Sequence, residues 1–418
     1  MNPRPLNETI TKGRIAMVAY THYQTDPRCR REATLAADAG WDVHFYALSK
    51  DGKSQVRQVE GITLHELPMP RYRGASSSSY LLSYVRFLLL ASWAVQRDHF
   101  RRRFDIVHIN TMPDFMVVVG LLPRLFGAKI ILDIHDVMPE IYMTKFQIPE
   151  SHWKIRLIKG IEVLSARCAH SVLTAEHPKG ELLKEHGIPV EKIEVLLNLP
   201  DDSLFVPQFI FADDSLLAPA SDPNCEFRLI YHGTIAHRLG LDNAVFALDL
   251  IRKDIPGARL QLFGDGDQLL ELKGHARDMG LEEMIWFSDG FLPIEEIIPS
   301  IKKAHLAVIP TRHEISTDYM LPTKLLEYLA FGIPAIFTPT KTVRHYFGDD
   351  HPLFIQDPTP EETAKKIKWV RDHYGTAKQL TAELQESWFS RYHWPDHKLG
   401  YLRLLENLKS TRSRKELG

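Results

Sequence analysis

PTRHEISTDYMLPTKLLEYLAFGIP (Pro310–Pro334) is the stretch from which the rest of the chain can be read. An apolar run, HLAVIP (His305–Pro310), leads into it and a second, AIF (Ala335–Phe337), follows it. Short apolar runs bounded by Pro and Gly read as buried strands, and the segment between them carries a helical period. The helix is expected to begin at Pro322-Thr323 with Thr323 as its N-cap, and to stop at Gly332 with Pro334 just beyond. Its wheel divides into Leu325, Leu326, Leu329 and Ala330 on a buried side and Lys324, Glu327, Tyr328 and Phe331 on the other.

The second set carries the chemistry. A lysine in the first turn opposes the helix dipole at a cost of up to about 1 kcal/mol, and a bound phosphate at that end reverses the sign. Glu327 lies about 4.5 Å further along the same face, where a carboxylate can accept hydrogen bonds from sugar hydroxyls. Diphosphate at the helix start and ribose one turn below describe a nucleotide-sugar site. The alternative is a solvated Lys-Glu pair contributing about 0.2 to 0.5 kcal/mol.

PTKLLEYLAFGIP (Pro322–Pro334) resembles the donor-site helix of retaining GT-B glycosyltransferases of family 4, in which proline, a small residue, Lys, two apolar residues and Glu precede an Ala-x-Gly-x-Pro turn. The resemblance implies that Lys324 contacts the donor diphosphate and Glu327 the ribose, with Leu325 between them. It also implies a second glutamate ahead of Glu327. Here the corresponding place holds Tyr319, with Asp318 beside it and Glu314 further back.

The composition fits a soluble globular protein. At 418 residues the chain is long enough for two cores. Its net charge of −2 gives no bulk drive toward nucleic acid, which is not expected as a partner. Three widely spaced cysteines, Cys29, Cys168 and Cys225, predict a reducing compartment and no disulfide framework. MNPRPLNETITKGR lacks a signal-peptide pattern, so a cytoplasmic location is expected. YLLSYVRFLLLASWAV (Tyr80–Val95) holds Arg86 and falls short of the approximately 20 residues of a membrane span. With RDHFRRRF (Arg97–Phe104) it forms an apolar helix leading into a basic cluster, read either as a packed helix with a solvated end or as a peripheral membrane contact through Tyr80 to Phe104 at the inner face of the membrane.

Outward from the opening stretch, strand-like and helical runs alternate. RIAMVAY (Arg14–Tyr20), VHFYAL (Val43–Leu48), ITLHEL (Ile62–Leu67), DIVHIN (Asp105–Asn110), KIILDIH (Lys129–His135), SVLTA (Ser171–Ala175) and KIEVLLN (Lys192–Asn198) are strands of a first doubly wound domain. Asp201–Asn224 has no sustained period and reads as a connection. FRLIYHG (Phe227–Gly233), RLQLFGDG (Arg259–Gly266) and MIWFSDG (Met284–Gly290) begin a second such domain, helical from Glu361. The expected division is residues 1–205, a connection at 206–225, 226–393, and a helix with polar tail at 394–418. The fold class is α/β with two Rossmann-like doubly wound domains. The resemblance adds the GT-B arrangement, with the domains facing across a cleft and the C-terminal helix returning to the first. The aromatic cluster Trp388, Phe389, Tyr392 and Trp394 suits that return, and TRSRKELG (Thr411–Gly418) reads as a disordered tail.

Three further stretches hold candidate site residues. In YHGTIAHRLG (Tyr231–Gly240), Gly233 permits close approach of backbone to a ligand, and His237 or Arg238 can meet phosphate oxygens. By resemblance, Arg238 takes the role of the family's basic residue before the second glycine, and Thr234 the place of a frequent arginine. FGDGDQLL (Phe263–Leu270) ends a strand at Gly264 and Gly266, which can approach a base or ribose. Its Asp265 and Asp267 match a turn of the family rather than a metal motif, so neither metal nor cofactor is expected. LDIHDVMPEIY (Leu132–Tyr142) sets Asp133, His135, Asp136 and Glu140 at a strand's C-terminal end, where open α/β sheets bind ligands. The resemblance implies that His135 touches the transferred sugar and that Asp136 or Glu140 orients the acceptor. Arg28 and Arg31 of DPRCRREA (Asp26–Ala33) would meet a lipid-linked phosphate, or else form a solvated basic helix start.

The resemblance implies transfer of a sugar from a UDP- or GDP-sugar to a glycan or lipid-linked acceptor with retention, in cell-surface polysaccharide or glycolipid synthesis. His135, Arg238, Lys324 and Glu327 are the expected catalytic set. A nucleotide-sugar 2-epimerase and a non-catalytic sugar-nucleotide-binding partner of another transferase are the alternatives.

Overall fold

The computed structural model describes residues 11–70, 72, 77–207, 225–288, 290–392 and 394–416. Most of the expected interdomain connection, and residues 1–10, lie outside them. The chain divides into two compact units, Met1–Asn198 with Pro395–Gly418, and Leu199–Trp394. Residues 199–205 thus group with the second unit, where Phe205 packs on Phe331 with ring centroids 5.3 Å apart.

Unit 1 is built on an eight-stranded sheet: β1 (Arg14–Ala19), β2 (Asp42–Leu48), β3 (Gln55–Val59), β4 (Ile62–Leu67), β5 (Ile106–Asn110), β6 (Lys129–Ile134), β7 (Ser171–Thr174) and β8 (Ile193–Val195), in the order β3-β4-β2-β1-β5-β6-β7-β8. All pairs are parallel except β3 with β4. Its helices are α1 (Pro27–Asp38), α2 (Ser77–Arg102), α3 (Val118–Leu125), α4 (Met138–Phe146), α5 (Trp153–Cys168) and α6 (His177–Glu185). The inner strands β1, β2, β5 and β6 are buried on both faces, which is why they read as continuous apolar runs. The step from β1 to β2 runs opposite to the steps β4 to β5, β5 to β6 and β6 to β7. Right-handed crossovers therefore place α1 on one face and α2, α3 and α5 on the other.

Unit 2 has a five-stranded parallel sheet of β9 (Phe227–His232), β10 (Ala258–Phe263), β11 (Ile285–Phe287), β12 (Leu306–Ile309) and β13 (Ala335–Phe337), ordered β11-β10-β9-β12-β13. Around it lie α7 (Leu241–Ile251), α8 (Leu269–Asp278), α9 (Ile294–Lys303), α10 (Ile315–Asp318), α11 (Thr323–Ala330), α12 (Lys341–Phe347), α13 (Pro360–Asp372) and α14 (Tyr374–Phe389). The last helix, α15 (Trp394–Glu416), joins the unit 1 core, where Tyr401, Leu404 and Leu405 pack in one cluster with Cys29, Ala33 and Ala36 of α1. It continues to Glu416 through most of the stretch expected as a tail.

Several elements depart from the sequence reading. β3 (QVRQV) has no apolar face and is half exposed, so it carries no periodic signal. Glu60 and Gly61, both at positive φ, form the two-residue hairpin that pairs it with β4. Trp388, expected at the C-terminal junction, is buried in unit 2 against Tyr346 and Phe347.

Candidate functional site

In unit 2 the chain steps from β9 through β10 to β11, then returns to place β12 and β13 on the other side of β9. Open α/β sheets bind ligands at the C-terminal ends of strands beside such a reversal. Here β9 ends in Tyr231 and His232, and α11, which follows β12, lays its first turn over them. Lys324 Nζ stands 4.7 Å from the centre of the Tyr231 ring. Gly233, at φ +115, leaves the space: a Cβ there would lie 3.1 Å from Lys324 Cε. Glu327 Oε2 is 2.5 Å from His232 Nε2, and the Tyr328 hydroxyl is 2.7 Å from His232 Nδ1. Burial, and then the Glu327 charge, push the Tyr328 phenol well above its ordinary pKa, so it keeps its proton, and in the His232 tautomer protonated at Nε2 the hydroxyl donates to Nδ1. His232 Nε2–H then donates to Glu327. One histidine thereby fixes two successive residues of the helix and aims the carboxylate, which remains partly exposed.

α11 starts differently from the expectation. Pro322 is the N-cap and Thr323 is the first helical residue, without any side-chain cap. Tyr328 and Phe331, placed on the polar side of the wheel, are buried. Leu325, expected among the donor contacts, has a fully buried side chain and an N–H bonded to the Pro322 carbonyl at 2.9 Å.

The remaining donor-side residues separate. Thr234 and Arg238 are exposed, Arg238 on the short turn His237–Leu239. Arg312 fastens that turn, donating its backbone N–H to the Arg238 carbonyl at 3.0 Å and its guanidinium to Asp242 at 2.5 and 2.9 Å. Gly264 and Gly266 are required by the protein itself, since a Cβ on either would lie about 2 Å from a carbonyl oxygen, at 1.8 Å from Gly233 and 2.0 Å from Ile235. Tyr319 turns to α12, its hydroxyl accepting from Lys341 Nζ at 3.1 Å. Glu314 caps α10 in a capping box with Thr317.

In unit 1 the sheet reverses between β1 and β5, and the polar residues collect there. Asp133, at the end of β6, is fully buried. Its carboxylate accepts two hydrogen bonds from Arg28 at 2.8 and 3.0 Å, and His135 Nε2 lies 2.9 Å from Oδ2. Burial acts to raise the Asp133 pKa, but the Arg28 charge and then His135 outweigh it and hold it well below the usual carboxylate range. Burial likewise acts to lower His135, and the Asp133 charge and hydrogen bond leave it above its ordinary value. The His135 side chain is 20% exposed. Lys179 donates to the His135 carbonyl at 2.5 Å and holds the turn.

Arg28 is therefore no surface cation. It is buried, and besides Asp133 it reaches the Leu196 carbonyl at 3.0 Å and Glu32 at 3.2 Å. Glu140 is also buried, 3.3 Å from His186, which a 2.6 Å contact joins to Glu162; this triad ties α4, α5 and α6 together. Arg31 donates to the Asn198 side chain. Of the four acceptor-side candidates, Asp136 is the one left partly exposed with no side-chain hydrogen bond or ion pair among the described residues. The sequence reading missed Glu32, His108 and His232. His108 and His232 are polar residues within apolar runs, IVHIN and FRLIYH, which was the available signal; Glu32, beside Arg30 and Arg31, carries none.

Glu32, His108 and Asp133 also form a buried group whose ligand atoms lie within 4.8 Å of one another. Arg28 already lies against both carboxylates, so a cation there would meet a guanidinium. Burial and the Asp133 charge raise Glu32 to about 8, and burial lowers His108 to about 4, so both are neutral near pH 7.

The chain resembles known proteins in sequence and in fold. Residues 26–198 match the glycosyl transferase 4-like domain, and residues 220–386 match glycosyl transferases group 1. A putative colanic acid biosynthesis glycosyl transferase, WcaI of Escherichia coli, is 24% identical over 234 residues, 55% of this chain and 56% of WcaI. The curated relatives are matched over 11% to 56% of their own length. Sucrose-phosphate synthase from Thermosynechococcus elongatus superposes with a TM-score of 0.74 at 17% identity, over 96% of this chain and 100% of that one. HepE of Anabaena, in complex with UDP and glucose, does so with a TM-score of 0.68 at 15% identity, over 94% and 99%. Two parallel-sheet α/β domains of the GT-B type, matched in succession by the two family descriptions, identify the chain as a member of the group 1 glycosyl transferases with a glycosyl transferase 4-like first domain.

Proposed function

We propose that this protein transfers a sugar from a UDP- or GDP-sugar to a glycan or lipid-linked acceptor, with retention of configuration, in the synthesis of a cell-surface polysaccharide or glycolipid. The observation that carries the reading is the convergence of Lys324 and Glu327 over the C-terminal end of β9, with a glycine clearing the space beside the ammonium group. The UDP and glucose bound by HepE and the biosynthetic name of WcaI agree with it.

In this reading Lys324 and the uncapped start of α11 lie against the donor diphosphate, and Glu327, aimed by His232, accepts from the ribose hydroxyls. Arg238 reaches the diphosphate from its exposed turn. The acceptor oxygen bonds to the anomeric carbon as the carbon–oxygen bond to the diphosphate breaks, and the acceptor's proton passes to a leaving phosphate oxygen. The cations act where negative charge grows, and removal of one such contact costs roughly 100-fold or more in turnover. His135 contacts the transferred sugar and Asp136 the acceptor hydroxyl. Charge on the leaving group is met by these side chains without a metal.

A thermal-shift screen of nucleotide sugars tests the donor assignment, since a ligand at 100 times its Kd adds about 2.7 kcal/mol. Stabilisation by a UDP- or GDP-sugar, absent in Lys324→Ala, is expected; no stabilisation by any nucleotide sugar would overturn it. Product formed without an acceptor would identify an epimerase. Binding with neither transfer nor hydrolysis would identify a non-catalytic partner.

A further inference from the structure

Helices α2, α3 and α5, on one face of the unit 1 sheet, expose a set of large apolar side chains. Along α2, Leu82, Leu89, Trp93 and Phe100 recur at intervals of seven, four and seven, and all are more than half exposed. Leu125 at the end of α3 and Trp153 and Leu164 on α5 are exposed to a similar degree. These helices are neighbours: Phe100 packs on Phe126 with ring centroids 5.4 Å apart, and Arg124 donates to the Cys168 carbonyl.

Charge on these three helices is one-sided. The whole chain has 51 lysines and arginines against 53 acids. The three helices carry four, one and four lysines or arginines, and their two acids, Asp98 and Glu162, are both buried. Among the described residues of these helices no acid is exposed. Glu150, just ahead of α5, is exposed but paired with Lys159 at 2.6 Å. Arg97, ion-paired with Asp98 at 3.0 Å, lies over Trp93 at 4.9 Å, and Arg103 lies over Phe126 at 5.7 Å, so guanidinium groups flank the apolar rows.

We propose that this face docks on an anionic lipid bilayer. Exposed tryptophan and leucine in rows, flanked by arginine on helices whose described residues include no exposed acid, suit insertion into the headgroup boundary with the cations at the lipid phosphates. A second copy is disfavoured, because a two-fold contact would set this basic face against itself. No helix among the described residues is long and apolar enough to cross a membrane, so the contact is peripheral. The inference extends the apolar and basic stretch of α2 to a surface of three helices, and it is independent of the donor assignment in unit 2.

Sedimentation of the full chain with vesicles tests it. Binding is expected to phosphatidylcholine vesicles containing roughly 30% phosphatidylglycerol, falling at least about 5-fold on pure phosphatidylcholine. Leu89→Ser with Trp93→Ser, and separately Arg101→Glu with Arg102→Glu, should each lower binding to the anionic vesicles by at least about 5-fold with the melting temperature and the nucleotide thermal shift unchanged. Wild-type protein that stays in the supernatant overturns the proposal, as does undiminished binding by either variant. Concentration-dependent dimerisation lost in Leu89→Ser with Trp93→Ser would assign the face to a second copy instead. Retained nucleotide binding in any of these outcomes separates this failure from that of the donor site.

Discussion

The two reversals of strand order hold charged groups in opposite conditions. In unit 1, Arg28 and Asp133 are buried and satisfy each other, with Glu32 and His108 neutral around them. In unit 2, Lys324 rests on the face of a tyrosine and Glu327 has one protein partner, and both side chains are partly exposed. Groups satisfied by the protein shape a site, whereas groups aimed but incompletely satisfied are available to a ligand. The unit 1 cluster is thus a frame that orients His135, and the unit 2 pair is the binding surface itself.

Substitution separates the two conditions most sharply. Arg28→Ala leaves Asp133 buried without its cation, and a loss of about 3 to 5 kcal/mol in denaturant unfolding is expected. A loss below about 1 kcal/mol would mean that the cluster is solvated and the contrast false. Lys324→Ala and Glu327→Ala should do the reverse, lowering turnover at least about 100-fold, or about 2.7 kcal/mol, with the fold intact by circular dichroism. Near-normal turnover in both would remove the unit 2 assignment.

Glu32 gives a pH test of the frame. Its pKa is raised from 4.5 to about 8, so the folded state holds a proton that the unfolded chain releases. The resulting stability is full below about pH 4.5 and is lost as pH rises toward about 8, at no more than about 1.4 kcal/mol per pH unit. Glu32→Gln should flatten that slope in melts across this range. His135, also raised, adds a slope of the same sign, while Asp133, depressed, contributes stability that is lost as pH falls below the carboxylate range. An unchanged slope in Glu32→Gln would show that Glu32 is ionised in the fold.

The smallest effect is expected at Tyr328→Phe, which removes the donor to His232 Nδ1. A loss of about 1 kcal/mol should accompany a modest rise in the KM for donor, as Glu327 is aimed less firmly. No change in KM would detach His232 from the site.

Sequence pattern by itself determined the alternation of strands and helices, the two α/β units and the helix bearing Lys324 and Glu327, because strands buried on both faces must be apolar and a helix must show its period. It left β3 unread, since a half-exposed edge strand follows no apolar rule. Only tertiary structure decided which charged residues meet. Arg28 and Asp133 are 105 residues apart, and His232 and Glu327 are 95 apart. A basic helix start has the same local pattern whether its arginine faces water or a buried carboxylate. Periodicity reports the face a residue occupies; the partner it finds there depends on which strand ends the sheet order makes neighbours.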